Sequence, residues 1–265
     1  MYETSYHRAA SVDEAAKLMA GASEGKYLSG GMTLIATMKQ RLASPSDLVD
    51  LRHIGSLKGI TVNGRSVTIG AGTTHYEVAS SQALKAVCPA LCQLASHIGD
   101  PHVRHMGTMG GSVANDDPAA DYPAAVLALN MTVTTNKRKI AADDFFKGLF
   151  ETALEDGEII TSFSFEAPDK AGYQKFFNPA SRFAMAGVFV AKTGADVRVA
   201  VTGAGSDGVF RHAGMEAALK AAWSPDALGA IAVDVGMMMS DIHGNSEYRA
   251  NLVKVMAKRA VASAG

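Results

Sequence analysis

Followed as a pattern of apolar and polar positions, the chain changes texture twice. In "SVDEAAKLMA", apolar residues recur at helical spacing behind Ser11 or Asp13, either of which suits an N-cap. "YLSGG" reads as a short buried strand running into a turn, "MTLIATMKQRL" as a helix and "DLVDLRHI" as a second short strand. This strand–helix–strand order predicts a small parallel or mixed sheet over residues 1–56. "ITVNGRSVTIGAG" then alternates apolar and polar residues around Asn63-Gly64, a hairpin signal that opens an antiparallel sheet. "THYEVASSQAL" and "PALCQLASHI" predict helices, the glycine-dense stretch from Gly99 to Asp121 predicts little helix, and "YPAAVLALN" predicts a further helix. "MTVTTN" and "GEIITSFSFEAP" complete the second unit as strands. In a third, "GYQKFFNPASRFAMAGVFVAK" and "ADVRVAVTGAGS" read as two strands, and "MEAALKAAW" and "SEYRANLVKVMAKRAVASA" as helices. The expectation is an α+β chain of three units, 1–56, 57–172 and 173–265, without internal repeats.

Composition narrows the partners. With 25 basic and 26 acidic residues there is no field of one sign to attract nucleic acid or an anionic membrane. The N-terminal stretch lacks a basic leader followed by an apolar core, and the longest apolar run, "FAMAGVFVA", falls far short of the roughly 20 residues of a membrane span. Cys88 and Cys92 are the only cysteines, too few for a disulfide framework or for an iron–sulfur cluster held by four thiolates. A chain of the reducing cytoplasm is expected, with any cluster on another chain.

Chemistry concentrates at two glycine turns. Ser29-Gly30-Gly31-Met32-Thr33 stands before a predicted helix, whose first N–H groups and positive dipole end make an anion site without formal charge. The stretch "IGDPHVRHMGTMGGSVANDDPAADYPA" carries Gly107, Gly110 and Gly111 beside Thr108 and Ser112. Glycine lets backbone amides approach a bound group and adopt the αR–αL alternation of an anion-holding nest. Hydroxyls of Ser29, Thr33, Thr108 and Ser112 add donors. Either Gly-Gly pair alone also reads as plain turn chemistry. Neither matches G-x-G-x-x-G or G-x-x-x-x-G-K-[ST], which argues against Rossmann and Walker folds.

"YLSGGMTLIATMKQRLASPSDLVDLRHI" with "HIGDPHVRHMGTMGGSVANDDPAADYPA" resembles the FAD-binding medium subunit of the molybdenum hydroxylases, the group of carbon monoxide, nicotine, caffeine and bacterial xanthine dehydrogenases. "KFFNPASRFAMAGVFVAK" and "VRVAVTGAGSDGVFRHAGMEAAL" extend the resemblance to that family's C-terminal domain. It implies a two-subdomain FAD-binding domain, a small mixed α/β lobe and a larger, mainly antiparallel lobe with helices, followed by a C-terminal domain of antiparallel sheet and helices. The family clasps the FAD pyrophosphate between the two glycine loops. That implies Ser29, Gly30, Gly31, Met32, Thr33 and Leu34 in the first and Thr108, Gly110, Gly111 and Ser112 in the second. Asp121 matches an aspartate near the ribityl chain, Ile160 an apolar residue beside the flavin, and Lys175 a lysine at the ring edge, a place for which Asn178 competes. Met32 stands where the family commonly has glutamine or asparagine.

The resemblance further implies an electron-transfer subunit with no side-chain nucleophile, working with a large molybdopterin subunit and a small subunit bearing two [2Fe–2S] clusters, as a dimer of heterotrimers. A stand-alone flavin oxidase or reductase, and a non-catalytic FAD-containing assembly subunit, are the alternatives.

Other constellations have plainer readings. Cys88 and Cys92 with His97, His102 and His105 match no common zinc spacing and are expected in the core. The carboxylates of "NDDPAAD" read as caps for the helix starting near Tyr122, with Asp121 as the cap. His75-Tyr76 has the family's look and equally reads as a surface helix. "KVMAKRA" reads as a solvated helix side and Met237–Met239 as core filling.

Overall fold

The computed structural model describes residues 1–264, and its architecture is α+β, with three principal sheets following one another along the chain. The first contains β1 (Ser5–Arg8), α1 (Val12–Ala20), β2 (Gly25–Leu28), α2 (Leu34–Lys39) and β3 (Asp47–Asp50), with strand order β1-β3-β2 and parallel pairing throughout. Ser11 caps α1 by accepting from the Glu14 N–H, while the Glu14 carboxylate accepts from the Ala10 N–H. Ala15, Val49, Ile54, Leu57 and Ile159 form the core under this sheet. Strand β1 escapes the sequence pattern because "SYHR" offers no apolar alternation; its backbone pairing with β3 holds it.

The second unit opens with β4 (Ile60–Asn63) and β5 (Ser66–Gly70). Asn63 pairs with Ser66, so Gly64 and Arg65 form the two-residue turn, one position later than predicted, with Gly64 at φ 58°. Six helices follow: α3 (His75–Ser80), α4 (Gln82–Val87), α5 (Pro89–Ser96), α6 (Pro101–Met106), α7 (Met109–Asn115) and α8 (Tyr122–Ala128). The stretch predicted to be poor in helix thus holds α6 and α7. Asp100 caps α6 ahead of Pro101 and Thr108 caps α7, and these caps with tertiary packing offset the low helix propensity of the glycines. Next come β6 (Thr132–Thr135), β7 (Lys139–Ala141), α9 (Ala142–Phe145), β8 (Phe146–Gly148), β9 (Glu151–Thr152) and β10 (Ile160–Glu166). The antiparallel sheet runs β4-β5-β10-β6-β7.

The third sheet is β11 (Lys170–Phe177), β12 (Ala184–Thr193), β13 (Asp196–Thr202) and β14 (Phe210–Arg211), in chain order and antiparallel. Residues 172–192, read as one strand from sequence, are two strands joined by a turn in which Asn178 Oδ1 accepts from the Ala180 and Ser181 N–H groups. On one face Val188, Val190, Val199 and Val201 share a core with α10 (Ala213–Ala221) and α11 (Ser246–Ser263). On the other, Tyr173, Phe189 and Ala200 join the large core that includes α8. "FAMAGVFVA" is continuously apolar because β12 is covered on both faces. No helix among the described residues is long and apolar enough to cross a membrane.

Candidate functional site

The first glycine turn leaves the C-terminal end of β2, the edge of a parallel sheet where ligands are commonly held. Gly31 has φ 74°, in the left-handed region. Among the described residues, no acceptor takes a hydrogen bond from the N–H groups of Gly30, Gly31, Met32, Thr33 or Leu34. Thr33 precedes α2 without a side-chain capping bond, Leu34 is the helix's first residue, and Met32 is exposed. Five main-chain donors therefore remain open in one turn.

The second segment is built differently from a nest. Gly110 and Gly111 lie in the first turn of α7, and their amides are already engaged. Gly110 N–H donates to the Ala71 carbonyl at 2.8 Å and Gly111 N–H to Thr108 Oγ1 at 3.1 Å. Ser112 N–H donates to the Thr108 carbonyl. Gly110 is glycine for packing, since a Cβ there would lie 2.6 Å from the Ala71 Cβ. This corrects the expectation that both glycine amides face a ligand.

The two segments meet. Ser29 Oγ lies 2.8 Å from Thr108 Oγ1. A Cβ on Gly30 would fall 2.2 Å from the Met106 carbonyl oxygen and 2.6 Å from Gly107 Cα, and one on Gly111 would fall 3.8 Å from Ser29 Cβ. Main chain of the turn after β2 thus touches main chain at the end of α6 at glycine, a contact that any side chain at position 30 would wedge apart. Neither Ser29–Leu34 nor Gly107–Ser112 contains lysine or arginine. Open amides with the Ser29, Thr108, Thr33 and Ser112 hydroxyls suit an anion that accepts many hydrogen bonds, such as a diphosphate.

Asp121 and Lys175 form a second grouping. Lys175 Nζ donates to Asp121 Oδ2 at 2.9 Å and to the His97 carbonyl at 3.3 Å, and the Tyr173 hydroxyl donates to Asp121 Oδ1. Lys175 Nζ also lies 4.9 Å from the Phe177 ring centroid. The pair is almost wholly buried, with 1% and 5% of its side chains exposed. Burial pushes the Asp121 carboxyl up, and the Lys175 ammonium and Tyr173 hydroxyl act against that shift. Ile160, at the start of β10, is buried in the large core.

The capping roles expected in "NDDPAAD" do not hold. Asp121 stands at the N-cap of α8 in helical conformation and its side chain makes no capping bond, being held by Lys175 and Tyr173. Asp116 instead ends α7 with φ 44°, and its carboxyl is pushed up to about 7 by burial and by Asp117. Asp117 Oδ1 accepts from the Ala119 N–H in a local turn. His75 is not on a surface helix face, being 5% exposed. Cys88 and Cys92 are buried thiols, pushed up to about 12 and about 11 by burial. Among the described residues no group of three or more His, Cys, Asp or Glu is arranged to hold a metal ion. Sequence reasoning did not single out Tyr173, Met106 or the His97 carbonyl, because each acts through a contact made only in the folded chain.

Comparison with known proteins bears on this geometry. The family described as "FAD binding domain in molybdopterin dehydrogenase" matches residues 2–166. The carbon monoxide dehydrogenase medium chain of Afipia carboxidovorans is 35% identical, over 97% of this chain and 94% of the relative. The nicotine 6-hydroxylase medium subunit of Paenarthrobacter nicotinovorans is 33% identical, over 98% and 96%. In structure, the chain resembles a chain of the reconstituted CO dehydrogenase from Oligotropha carboxidovorans with a TM-score of 0.89, at 32% identity and covering 98% of this chain and 97% of that one. The chain therefore belongs to the family of FAD-binding domains of molybdopterin dehydrogenases, the medium-subunit flavoproteins of molybdenum-dependent oxidoreductases.

Proposed function

We propose that this chain is the FAD-binding electron-transfer subunit of a heteromeric molybdenum hydroxylase, accepting electrons from [2Fe–2S] clusters of a partner subunit and delivering them to an external acceptor. The observation that carries the reading is the junction of the two glycine segments at Ser29 and Thr108, with open main-chain donors from Gly30 to Leu34 beside it. In this reading, the amides of Gly30, Gly31, Met32, Thr33 and Leu34 bind the FAD diphosphate, and the hydroxyls of Ser29, Thr108 and Ser112 orient it. Gly110 and Gly111 contribute by seating their segment closely enough for Thr108 to reach Ser29. Hydrogen bonds to a charged acceptor contribute about 1.5–3 kcal/mol each, so a few of them hold a dinucleotide without a basic side chain.

Toward the flavin, Ile160 supplies apolar surface and the Asp121–Lys175 pair supplies fixed charges at the ribityl chain and ring edge. When bound, FAD supplies one- and two-electron chemistry, and the protein's part is placement, electrostatics and exclusion of side reactions. The proposed assembly joins this chain to a large molybdopterin subunit and a small iron–sulfur subunit as a dimer of heterotrimers in the cytoplasm. The proposed divisions are 1–56 and 57–172 for the two FAD-binding lobes and 173–265 for the C-terminal domain.

The test uses the complex purified from its host, analysed for flavin, metal and subunits, and mixed with substrate. Flavin reduction in the complex but not in the isolated chain is expected. Turnover by the isolated chain alone would replace this reading with a stand-alone flavin enzyme.

A further inference from the structure

The second glycine segment rests on residues 71–75 through three main-chain bonds. Gly110 N–H donates to the Ala71 carbonyl at 2.8 Å, Met109 N–H to the Thr73 carbonyl at 3.0 Å, and His75 N–H to the Gly107 carbonyl at 2.9 Å. That support is itself pinned. Ala71 N–H donates to the Thr161 carbonyl, Thr73 Oγ1 accepts from the Gly59 N–H, and Thr74 forms a capping box with Glu77.

On this support stands His75. Its ring packs on Tyr122 with centroids 5.4 Å apart, and a Cβ on Gly107 would fall 2.5 Å from His75 Nε2 and 2.8 Å from Cδ2. Gly107 Cα in turn lies 2.6 Å from where a Gly30 Cβ would be. Imidazole, Gly107 and Gly30 are thus stacked in contact, with no side chain between them. Burial first, and Arg104 second, lower the His75 imidazole to about 4, so it is uncharged at neutral pH. Its Nδ1 is buried with no hydrogen-bond partner among the described residues, a desolvation cost that an apolar filler would avoid. Such a cost is more readily borne where a site sets the demand than in plain core packing.

We propose that His75 is a positioning residue: its ring is the floor that fixes how closely Gly107 approaches Gly30, and so the width of the cleft between the two glycine segments. This rests on the reading of that cleft as the diphosphate site for FAD.

The experiment is a double-mutant cycle on the full chain, with FAD affinity measured by titration for the wild type, His75→Ala, Gly107→Ala and the double variant. Gly107 has φ −63° and ψ 143°, so alanine there is not strained by its backbone. Each single variant is expected to weaken FAD binding roughly tenfold. In the His75→Ala background the added methyl no longer meets the imidazole, its remaining neighbour being the Val103 carbonyl at 3.0 Å, so Gly107→Ala should cost less than about threefold more. Wild-type affinity in His75→Ala, or two effects that simply multiply, would overturn the proposal. Equal losses of affinity and thermal midpoint would do so as well, by making the role a general structural one. If His75→Ala does not fold, His75→Asn, planar but shorter, enters the same cycle.

Should the wild-type chain take up no FAD, the site reading fails, and amide exchange at Gly107–Gly111 in the flavin-free chain judges His75 by itself. Faster exchange in His75→Ala supports the floor, and unchanged exchange removes it.

Discussion

Ser29 Oγ and Thr108 Oγ1, 79 positions apart in the chain, lie 2.8 Å from each other. Ser29 directly follows a strand of the parallel sheet and Thr108 caps a helix packed on the antiparallel one, so this one contact ties together two separately built units. Both hydroxyls stand beside amides that have no acceptor of their own in the first turn.

Gly30 is the position where a single methyl does most harm. Its Cβ would meet main chain, the Met106 carbonyl at 2.2 Å, which cannot swing aside as a long side chain would. Gly30→Ala is expected to separate the two segments, destabilise the chain by about 1–3 kcal/mol and release FAD; flavin content and denaturant midpoint are the measurements.

Gly110→Val should unseat the second segment from Ala71, whose Cβ lies 2.6 Å from the new Cβ position. Weakened flavin retention is expected although the Gly110 amide does not itself face the cleft, and unchanged occupancy would argue against the seating role.

Thr108 both caps α7 and meets Ser29. Thr108→Val removes both interactions and is expected to cost about 1 kcal/mol in stability from the cap, with an additional loss of FAD affinity, whereas Thr108→Ser keeps both. Equilibrium unfolding and FAD titration of the two variants separate the contributions.

The sequence singles out these glycine turns because two Gly-Gly pairs beside hydroxyls occur in one chain, each pair alone reading as plain turn chemistry, and "ITVNGRSVTIGAG" marks its hairpin by alternation and by Gly64. What was not legible depends on contacts between distant residues. Helix α7 begins with Met109-Gly110-Gly111, where the two glycines have poor propensity, and is set by the Thr108 cap and the packing of Gly110 on Ala71. Asp121 read as a helix cap because capping is a local rule, while Lys175 and Tyr173, more than 50 residues on, take its carboxylate. The Gly110 and Gly111 amides looked open for the same reason; Ala71 and Thr108 occupy them in the fold.

The Asp121–Lys175 pair is buried, so removing one partner strands the other. Lys175→Met is expected to cost about 3–5 kcal/mol, and the Asp121→Asn, Lys175→Met double variant should recover part of that loss. Denaturant unfolding of Lys175→Met, Asp121→Asn and the double variant checks it; additive losses would deny the coupling.

Two aspartates should give stability opposite slopes with pH. Burial raises the Asp50 carboxyl, but hydrogen bonds from Arg52 and Tyr6 outweigh it and hold the group at about 2, against 3.8 ordinarily. Its contribution, about 2 kcal/mol, is present above pH 3.8 and lost as pH falls through about 2, so Asp50→Asn should be less stable than wild type at pH 7 and converge with it in acid. Asp116, raised to about 7, contributes below pH 3.8 and loses that contribution as pH rises through about 7. Asp116→Asn should therefore gain on the wild type as pH rises from 4 to 8, as read from thermal midpoints at each pH.

In the proposed function, two glycine segments from different parts of the fold hold one FAD between them. The most direct measurement is the flavin content of the purified chain, wild type beside Gly30→Ala. A yellow wild-type protein that releases FAD on denaturation, with a variant that retains little, is the predicted result; a colourless wild-type chain that takes up no added FAD would contradict it.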